Sequence, residues 1–149
     1  MITYINGSER IEDAVKIRVE MLSLMHPEAD FGGEFTRLSE DFFKNGEQTT
    51  ILAYDGEKAV GCATLCYITV MPTVDHPTRK RAHLMNVYTN AEYRRQGIAR
   101  QMVTMLLNEA KERGVTYISL DTTQSGELLY KALGFDHSKE TMGLNITNN

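Results

Sequence analysis

The sequence contains no tryptophan, only two cysteines and only three prolines among its 149 residues. The cysteines, Cys62 and Cys66, stand in one segment typical of a β-strand, roughly 13 Å apart, which is too far for a disulfide. No cluster of His or Cys accompanies them at metal-site spacing, so we interpret both as small buried hydrophobic residues and expect no metal. A chain without disulfides suits a reducing compartment, and we predict a cytoplasmic protein.

The sequence also lacks the apolar segments that secretion or membrane insertion requires. Its N-terminus, "MITYINGSER", has no basic region followed by an apolar run, and no stretch approaches the ~20 apolar residues of a membrane span. The net charge is -4, which disfavours nonspecific binding to DNA or anionic lipid and is compatible with a cationic partner such as an amine. We therefore expect neither nucleic acid nor membrane as a partner.

The chain does have enough apolar material for one hydrophobic core. Hydrophobic residues make up 42% of its 149 residues, a length close to one average domain that needs no disulfide or structural metal to fold. No internal repeat, low-complexity tract or linker interrupts it. We predict a single domain over residues 1–149.

Hydrophobic periodicity predicts the element order β-α-α-β-β-β-α-β-α-β. The strands are predicted at 2–5, in two halves of 49–70 around the turn "DGEK", and at 82–89, 115–122 and 141–146; the helices are predicted from Ile11 to before His26, near 35–45, and over 97–113 and 125–135. One strand-helix-strand crossover, 82–122, implies a parallel pair, and the remaining pairs are antiparallel. The predicted class is α/β (α+β) with a mixed, mostly antiparallel sheet.

The stretch "NVYTNAEYRRQGIARQM" (86–102) runs from a strand into a helix through a turn with small and basic side chains. The first turn of a helix leaves backbone N–H groups without partners and carries partial positive charge. Gly97 and Ala99 would let a ligand approach that backbone. Three cations surround the same turn: Arg94, Arg95 and Arg100. The pattern indicates a phosphate or pyrophosphate site, although a solvated turn without a ligand is the alternative interpretation.

Within that stretch, "RRQGIA" (94–99) resembles the R-x-x-G-x-G/A signature of the GNAT superfamily of acyl-CoA-dependent N-acyltransferases. "NVYTNAEYR" is similar to the family's bulged strand and following turn, and "LLYKALGF" (128–135) to its later motif L-Y-x-x-L-G-F. The element order is also similar, so the resemblance covers essentially the whole chain. It implies a GNAT-like fold, whose central parallel strand pair splays at a bulge and whose helices cover both sheet faces.

The resemblance implies acetyl-CoA as co-substrate. Backbone amides from Gln96 to Arg100 would hold the pyrophosphate, and the strand backbone from Val87 to Thr89 would pair with the pantetheine arm. The family often has Asn where Thr123 stands. The cofactor-binding residues implied are Val87, Tyr88, Thr89, Arg94, Arg95, Gln96, Gly97, Ile98, Ala99, Arg100, Thr123 and Tyr130.

Acyl transfer to an amine needs a neutral amine, a donor for the oxyanion and a proton for the leaving thiolate. The resemblance implies Tyr130 as the proton donor at sulfur, and a backbone N–H near Tyr88 or Thr89 could serve the oxyanion. Many family members carry a glutamate on the strand as base, but Met85 stands at that position. His83 is one alternative base.

The resemblance implies that the loop before the second helix forms part of the acceptor site. Its carboxylates, Glu28, Asp30 and Glu34, are candidates to bind a cationic acceptor or to relay a proton, and Phe31 is a candidate to shape the pocket. A solvated acidic loop and a packed aromatic are the simpler interpretations of the same residues.

We therefore predict an N-acetyltransferase that moves an acetyl group from acetyl-CoA to a primary amine of a small cationic molecule, by direct attack through a tetrahedral intermediate. Two alternatives stay open: a protein lysine or N-terminal acetyltransferase, and a non-catalytic acyl-CoA-binding module. The resemblance to this family also leads us to expect a homodimer.

Overall fold

The sheet contains five strands over residues 1–146, the part of the chain that the computed structural model describes. The strands lie in chain order: β1 (Ile2–Asn6), β2 (Gln48–Asp55), β3 (Lys58–Thr69), β4 (Lys80–Thr89) and β5 (Tyr117–Leu120). Strands β1 to β4 pair antiparallel, whereas β4 and β5 pair parallel. The predicted mixed, mostly antiparallel sheet is confirmed.

Helices cover both faces of this sheet. They are α1 (Ile11–Met25), α2 (Gly33–Asn45), α3 (Ile98–Glu112) and α4 (Glu127–Ala132). Strand alternation separates the two cores: Leu52 and Tyr54 of β2 pack with α1 and α2, and Ile51 and Ala53 pack with α3. No helix among residues 1–146 combines the length and the apolarity of a membrane-spanning segment.

The α3 helix is the crossover between the parallel strands, and its sequence explains its placement. Ile98, Met102, Leu106 and Ala110 recur every four residues and are all buried against the sheet. Gly114 follows the helix at φ 79°, a left-handed conformation that favours glycine and ends the helix. This crossover returns the chain to the edge of β4, where β5 begins.

A bulge in β4 separates its last residues from β5. Thr64 of β3 lies opposite Met85, but Cys62 lies opposite Tyr88, so two residues of β4, Asn86 and Val87, oppose a single residue of β3. The pairing of β4 with β5 ends at Leu84, three residues after it begins at Arg81. The predicted splay of the parallel pair is thus confirmed.

The predicted strand at 141–146 is wrong. These residues form neither strand nor helix, and Met142, Leu144 and Ile146 are 94%, 85% and 85% exposed. Their apolar alternation suggested a half-buried strand, but a strand also needs a hydrogen-bonded neighbour. In the described part of the chain, β5 has a partner on one side only, and the 141–146 segment does not pair with its other edge.

The packing of α3 predicts the cost of truncating it. Leu106 is 1% exposed in the core between α3 and the sheet, so Leu106→Ala should lower the free energy of unfolding by roughly 2–5 kcal/mol in a urea titration. Leu24→Ala, at a side chain that is 64% exposed, is the control and should change it by about 0.5 kcal/mol or less. Equal losses in both variants would contradict the placement of α3.

Candidate functional site

The turn between β4 and α3 adopts backbone conformations that leave its amides accessible. Arg95 and Gly97 lie at φ 64° and 75°, and residues 94–97 are exposed while Ile98 is buried. A Cβ built on Gly97 would have no atom of the described chain within 4 Å. Glycine is therefore favoured at this position by the positive φ, and not because a side chain would be crowded by the protein.

The amides of this turn have no partners in the protein. Among residues 1–146, none of the backbone N–H groups from Gln96 to Arg100 donates to a protein acceptor, and no side chain caps α3. Arg94 Nε donates to the Thr89 carbonyl at 3.1 Å and ties the turn to the end of β4. Unpaired amides and the dipole of a 15-residue helix are features that suit an anion.

An unpaired polar atom lies at the end of β4. Thr89 Oγ1 is buried and has no hydrogen-bond partner within residues 1–146. Because buried hydroxyls are normally paired, this atom fits a ligand that continues along β4 from the turn. Beyond Leu84, moreover, the edge of β4 that faces β5 has no strand partner in the described residues.

One cavity, of about 440 Å³, lies along β5 between that strand, α4 and the segment 135–141, and we call it the β5 cavity. Tyr130 of α4 lines it together with Leu120 and His83, and the Tyr130 ring meets Phe135 edge-on at 5.9 Å. The Tyr130 hydroxyl makes no hydrogen bond to residues 1–146. Burial raises the pKa of Tyr130, so at neutral pH the side chain is a phenol that can donate a proton.

His83 reaches the same cavity from β4. Its Nδ1 lies 2.7 Å from Ser119 Oγ, and its Nε2 lies 3.7 Å from Asp121 Oδ2. The parallel register that places His83 beside Ser119 produces this contact. Only the Ser119 contact is within hydrogen-bond distance, and it orients the imidazole from one side.

A second cavity, of about 260 Å³, lies between α1, α2, β3 and β4, and we call it the α1–α2 cavity. Arg18 of α1 enters it and donates from Nη1 to Asn86 Oδ1 at 3.0 Å. Asn86 is the bulge residue, with φ 60°, and its Nδ2 donates to Thr64 Oγ1 at 3.1 Å. The two cavities thus adjoin β4 on either side of the point at which it leaves β5.

The structure separates the predicted acceptor residues from both cavities. Glu28 and Asp30 precede α2, Glu34 lies in its first turn, and all three are exposed. None of them lines either cavity. The ring of Phe31 packs at a tilt against that of Phe35, 5.2 Å away between centroids, and of the two only Phe35 lines the α1–α2 cavity.

Thr123 is exposed before a 3₁₀ turn, and its hydroxyl lies 3.1 Å from that of Ser125. Among the predicted site residues, His83 and Tyr130 line the same cavity, while residues 86–100 run from the bulge of β4 to the first turn of α3. Sequence reasoning missed Arg18 and the role of Asn86 as the bulge. Arg18 gave a weak signal, since a charged residue stood between the apolar positions of a helix.

Comparison with known proteins gives consistent matches. A model of the acetyltransferase (GNAT) family matches residues 18–135. Human N-acetyltransferase 8 is 36% identical over 89 residues, which are 56% of this chain and 37% of that protein. The chain therefore spans well under two thirds of the length of the curated relatives it matches.

Solved structures extend the similarity to nearly the whole chain. A predicted acetyltransferase from Clostridium acetobutylicum, crystallised with acetyl-CoA, is 30% identical with a TM-score of 0.86, covering 97% of this chain and 96% of that one. A GCN5-related N-acetyltransferase from Ralstonia eutropha shares the fold, with 20% identity, a TM-score of 0.81 and coverage of 97% and 99%.

Proposed function

The chain belongs to the GNAT acetyltransferase family, and from that premise we propose that it transfers an acetyl group from acetyl-CoA to a primary amine of a small molecule. The observation that carries the proposal is the turn of α3, whose unpartnered amides stand at the end of a bulged β4. The acetyl-CoA crystallised with the Clostridium acetobutylicum protein supports the choice of co-substrate.

In this proposal the α3 turn binds the pyrophosphate of CoA. The amides from Gln96 to Arg100 supply neutral donors, and Arg94, Arg95 and Arg100 supply charge. The open edge of β4 from Val87 to Thr89 pairs with the pantetheine amides as an added strand would. A backbone N–H near Tyr88 or Thr89 donates to the oxyanion of the tetrahedral intermediate.

Two side chains of the β5 cavity are assigned to proton transfer. Tyr130 gives its proton to the departing thiolate, because its raised pKa keeps it protonated. His83 takes a proton from the substrate ammonium, directly or through water, so that the neutral amine can attack, and its contact with Ser119 orients the ring. Met85 is exposed and carries no titratable group, so β4 offers no carboxylate for the task.

Thiol release from acetyl-CoA, followed with a panel of small amines, tests the function. Amine-dependent release with formation of the N-acetyl product is expected. CoA binding without turnover of any amine would instead favour an acyl-CoA-binding module. The preference for a cationic acceptor stays a prediction of the sequence, which the same panel tests by comparing polyamines with neutral and acidic amines.

Substitution of Gly97 tests the CoA site. Gly97→Val should weaken CoA binding at least roughly tenfold in calorimetry, since the branched side chain enters the space of the pyrophosphate. Gly56→Val is a matched control, because Gly56 also has a positive φ of 62° and open space around its Cβ, in the β2–β3 turn. Both variants should lose similar thermal stability through backbone strain. Equal affinity in the two would place CoA elsewhere.

Removal of one hydroxyl tests Tyr130. Tyr130→Phe should lower kcat and kcat/KM together by about 10²-fold when chemistry limits the rate, because a general acid acts in the transition state. CoA affinity and Tm should change little. Tyr4→Phe is the control, since Tyr4 also has a pKa raised by burial and lies at the distant strand β1. A Tyr130→Phe protein with unchanged kcat would reduce Tyr130 to a packing residue.

The base assignment predicts that His83→Gln lowers kcat/KM by roughly 10²-fold near neutral pH. The loss should shrink as pH rises and more of the amine is already neutral, so the pH profile of the ratio is the measurement. His26→Gln, at an exposed position after α1, should leave the profile unchanged. A constant ratio at every pH would assign His83 a structural role.

A further inference from the structure

The α1–α2 cavity contains a cation, Arg18, that no carboxylate of the described residues neutralises. Arg18 is partly buried and forms no ion pair with a carboxylate among residues 1–146. Its described contacts are the hydrogen bond to Asn86 and the ring of Phe35, 5.7 Å from the guanidinium carbon. A guanidinium has five N–H donors and stays protonated in proteins. Most of its capacity to bind an anion is therefore unused.

Most of the remaining wall of the cavity is apolar. Its apolar side chains come from α2 and β4, namely Phe35, Leu38, Phe42, Phe43 and Met85, and Ser39, Thr64 and Cys66 complete the lining beside Asn86. A charge held in such surroundings is costly unless a partner compensates it. The volume of about 260 Å³ suits a small molecule. The chemistry of the wall thus selects one anionic group attached to a compact apolar body.

The position of Arg18 limits how far that anion can be from the reacting amine. Its partner Asn86 is the bulge residue at which β4 leaves β5, and the proposed oxyanion donor follows two or three residues later on the same strand. An anion on Arg18 is therefore two or three residues along β4 from the proposed oxyanion donor. A ligand in which only a few atoms separate the anionic group from the amine can reach both Arg18 and the thioester. A long flexible linker between the two groups is unnecessary.

We propose that Arg18 binds the carboxylate of the acceptor, and that the acceptor is an α-amino acid with an apolar side chain. The proposal rests on the acetyl transfer proposed above. The guanidinium forms a two-point contact with the carboxylate, which Arg makes and Lys does not. The apolar side chain of the amino acid packs on Phe35 and its neighbours.

The reaction then converts an amino acid to its N-acetyl derivative. The amine nitrogen forms a bond to the acetyl carbon, the C–S bond of acetyl-CoA breaks, and the sulfur receives a proton while the nitrogen loses one. The carboxylate is unchanged. A polyamine would instead place a second positive charge against Arg18, so this proposal and the sequence-based preference for a cation predict opposite orders of substrates.

The test compares L-leucine with 3-methylbutylamine, which is leucine without its carboxylate. Arg18→Gln should lower kcat/KM for leucine by about 10- to 100-fold, mainly through KM, and should change it less than about threefold for 3-methylbutylamine. Each ratio compares one amine on two proteins, so the basicity of the amine cancels. Arg18→Lys should recover part of the loss, and Lys16→Gln, at an exposed position of the same helix, should match the parent protein.

Calorimetry with N-acetyl-L-leucine and the uncharged N-(3-methylbutyl)acetamide, in the presence of CoA, gives a readout that does not require turnover. Loss of N-acetyl-L-leucine binding in Arg18→Gln, at an unchanged Tm, supports the role of Arg18 even if no amine is acetylated. The absence of acetylation would count only against the proposed function. If Arg18→Gln unfolds, Arg18→Lys carries the comparison. Turnover that favours spermidine over leucine and is insensitive to Arg18 would overturn this inference and leave acetyl transfer intact.

Discussion

The mismatch in hydrogen bonding at Asn86 is the constraint on which the geometry of the site depends. Two residues of β4 oppose one of β3, so β4 turns away from β5 and the pairing of the parallel strands stops at Leu84. Asn86 is held in its left-handed conformation by its own contacts: its side chain bonds Thr64 and Arg18, and its carbonyl accepts from Cys62 Sγ at 3.2 Å. The bulge is therefore specified by packing on the α1–α2 face.

Because the bulge opens the sheet, the proposed sites for CoA and for the acceptor adjoin the same strand, β4, on opposite faces of the sheet. The face covered by α3 carries the anion-binding turn, and the face covered by α1 and α2 carries the cavity with Arg18. In the proposed reaction, β4 is thus the common wall of the two binding sites. A change at Asn86 would reach both, since its amide contacts Arg18 and its backbone sets the direction of β4.

The net charge of the chain and the charge of the single arginine in the α1–α2 cavity indicate different ligands. The net charge of -4 suggested a cationic acceptor, but the loop carboxylates on which that expectation relied lie in solvent, where they are screened. A single partly buried arginine in an apolar cavity acts over a shorter distance and in a lower dielectric. Its chemistry is the stronger guide to the ligand of that cavity.

The sequence by itself determined the elements with strong periodicity and the turn of α3. The four-residue spacing from Ile98 to Ala110 and the glycine at 97 are local properties of the chain, and local sterics settle them. Alternation alone was insufficient at 141–146, because a strand exists only beside a partner edge. Only the tertiary structure decided that Arg18 would meet Asn86, 68 residues away, since that contact requires α1 to pack across the bulge of β4.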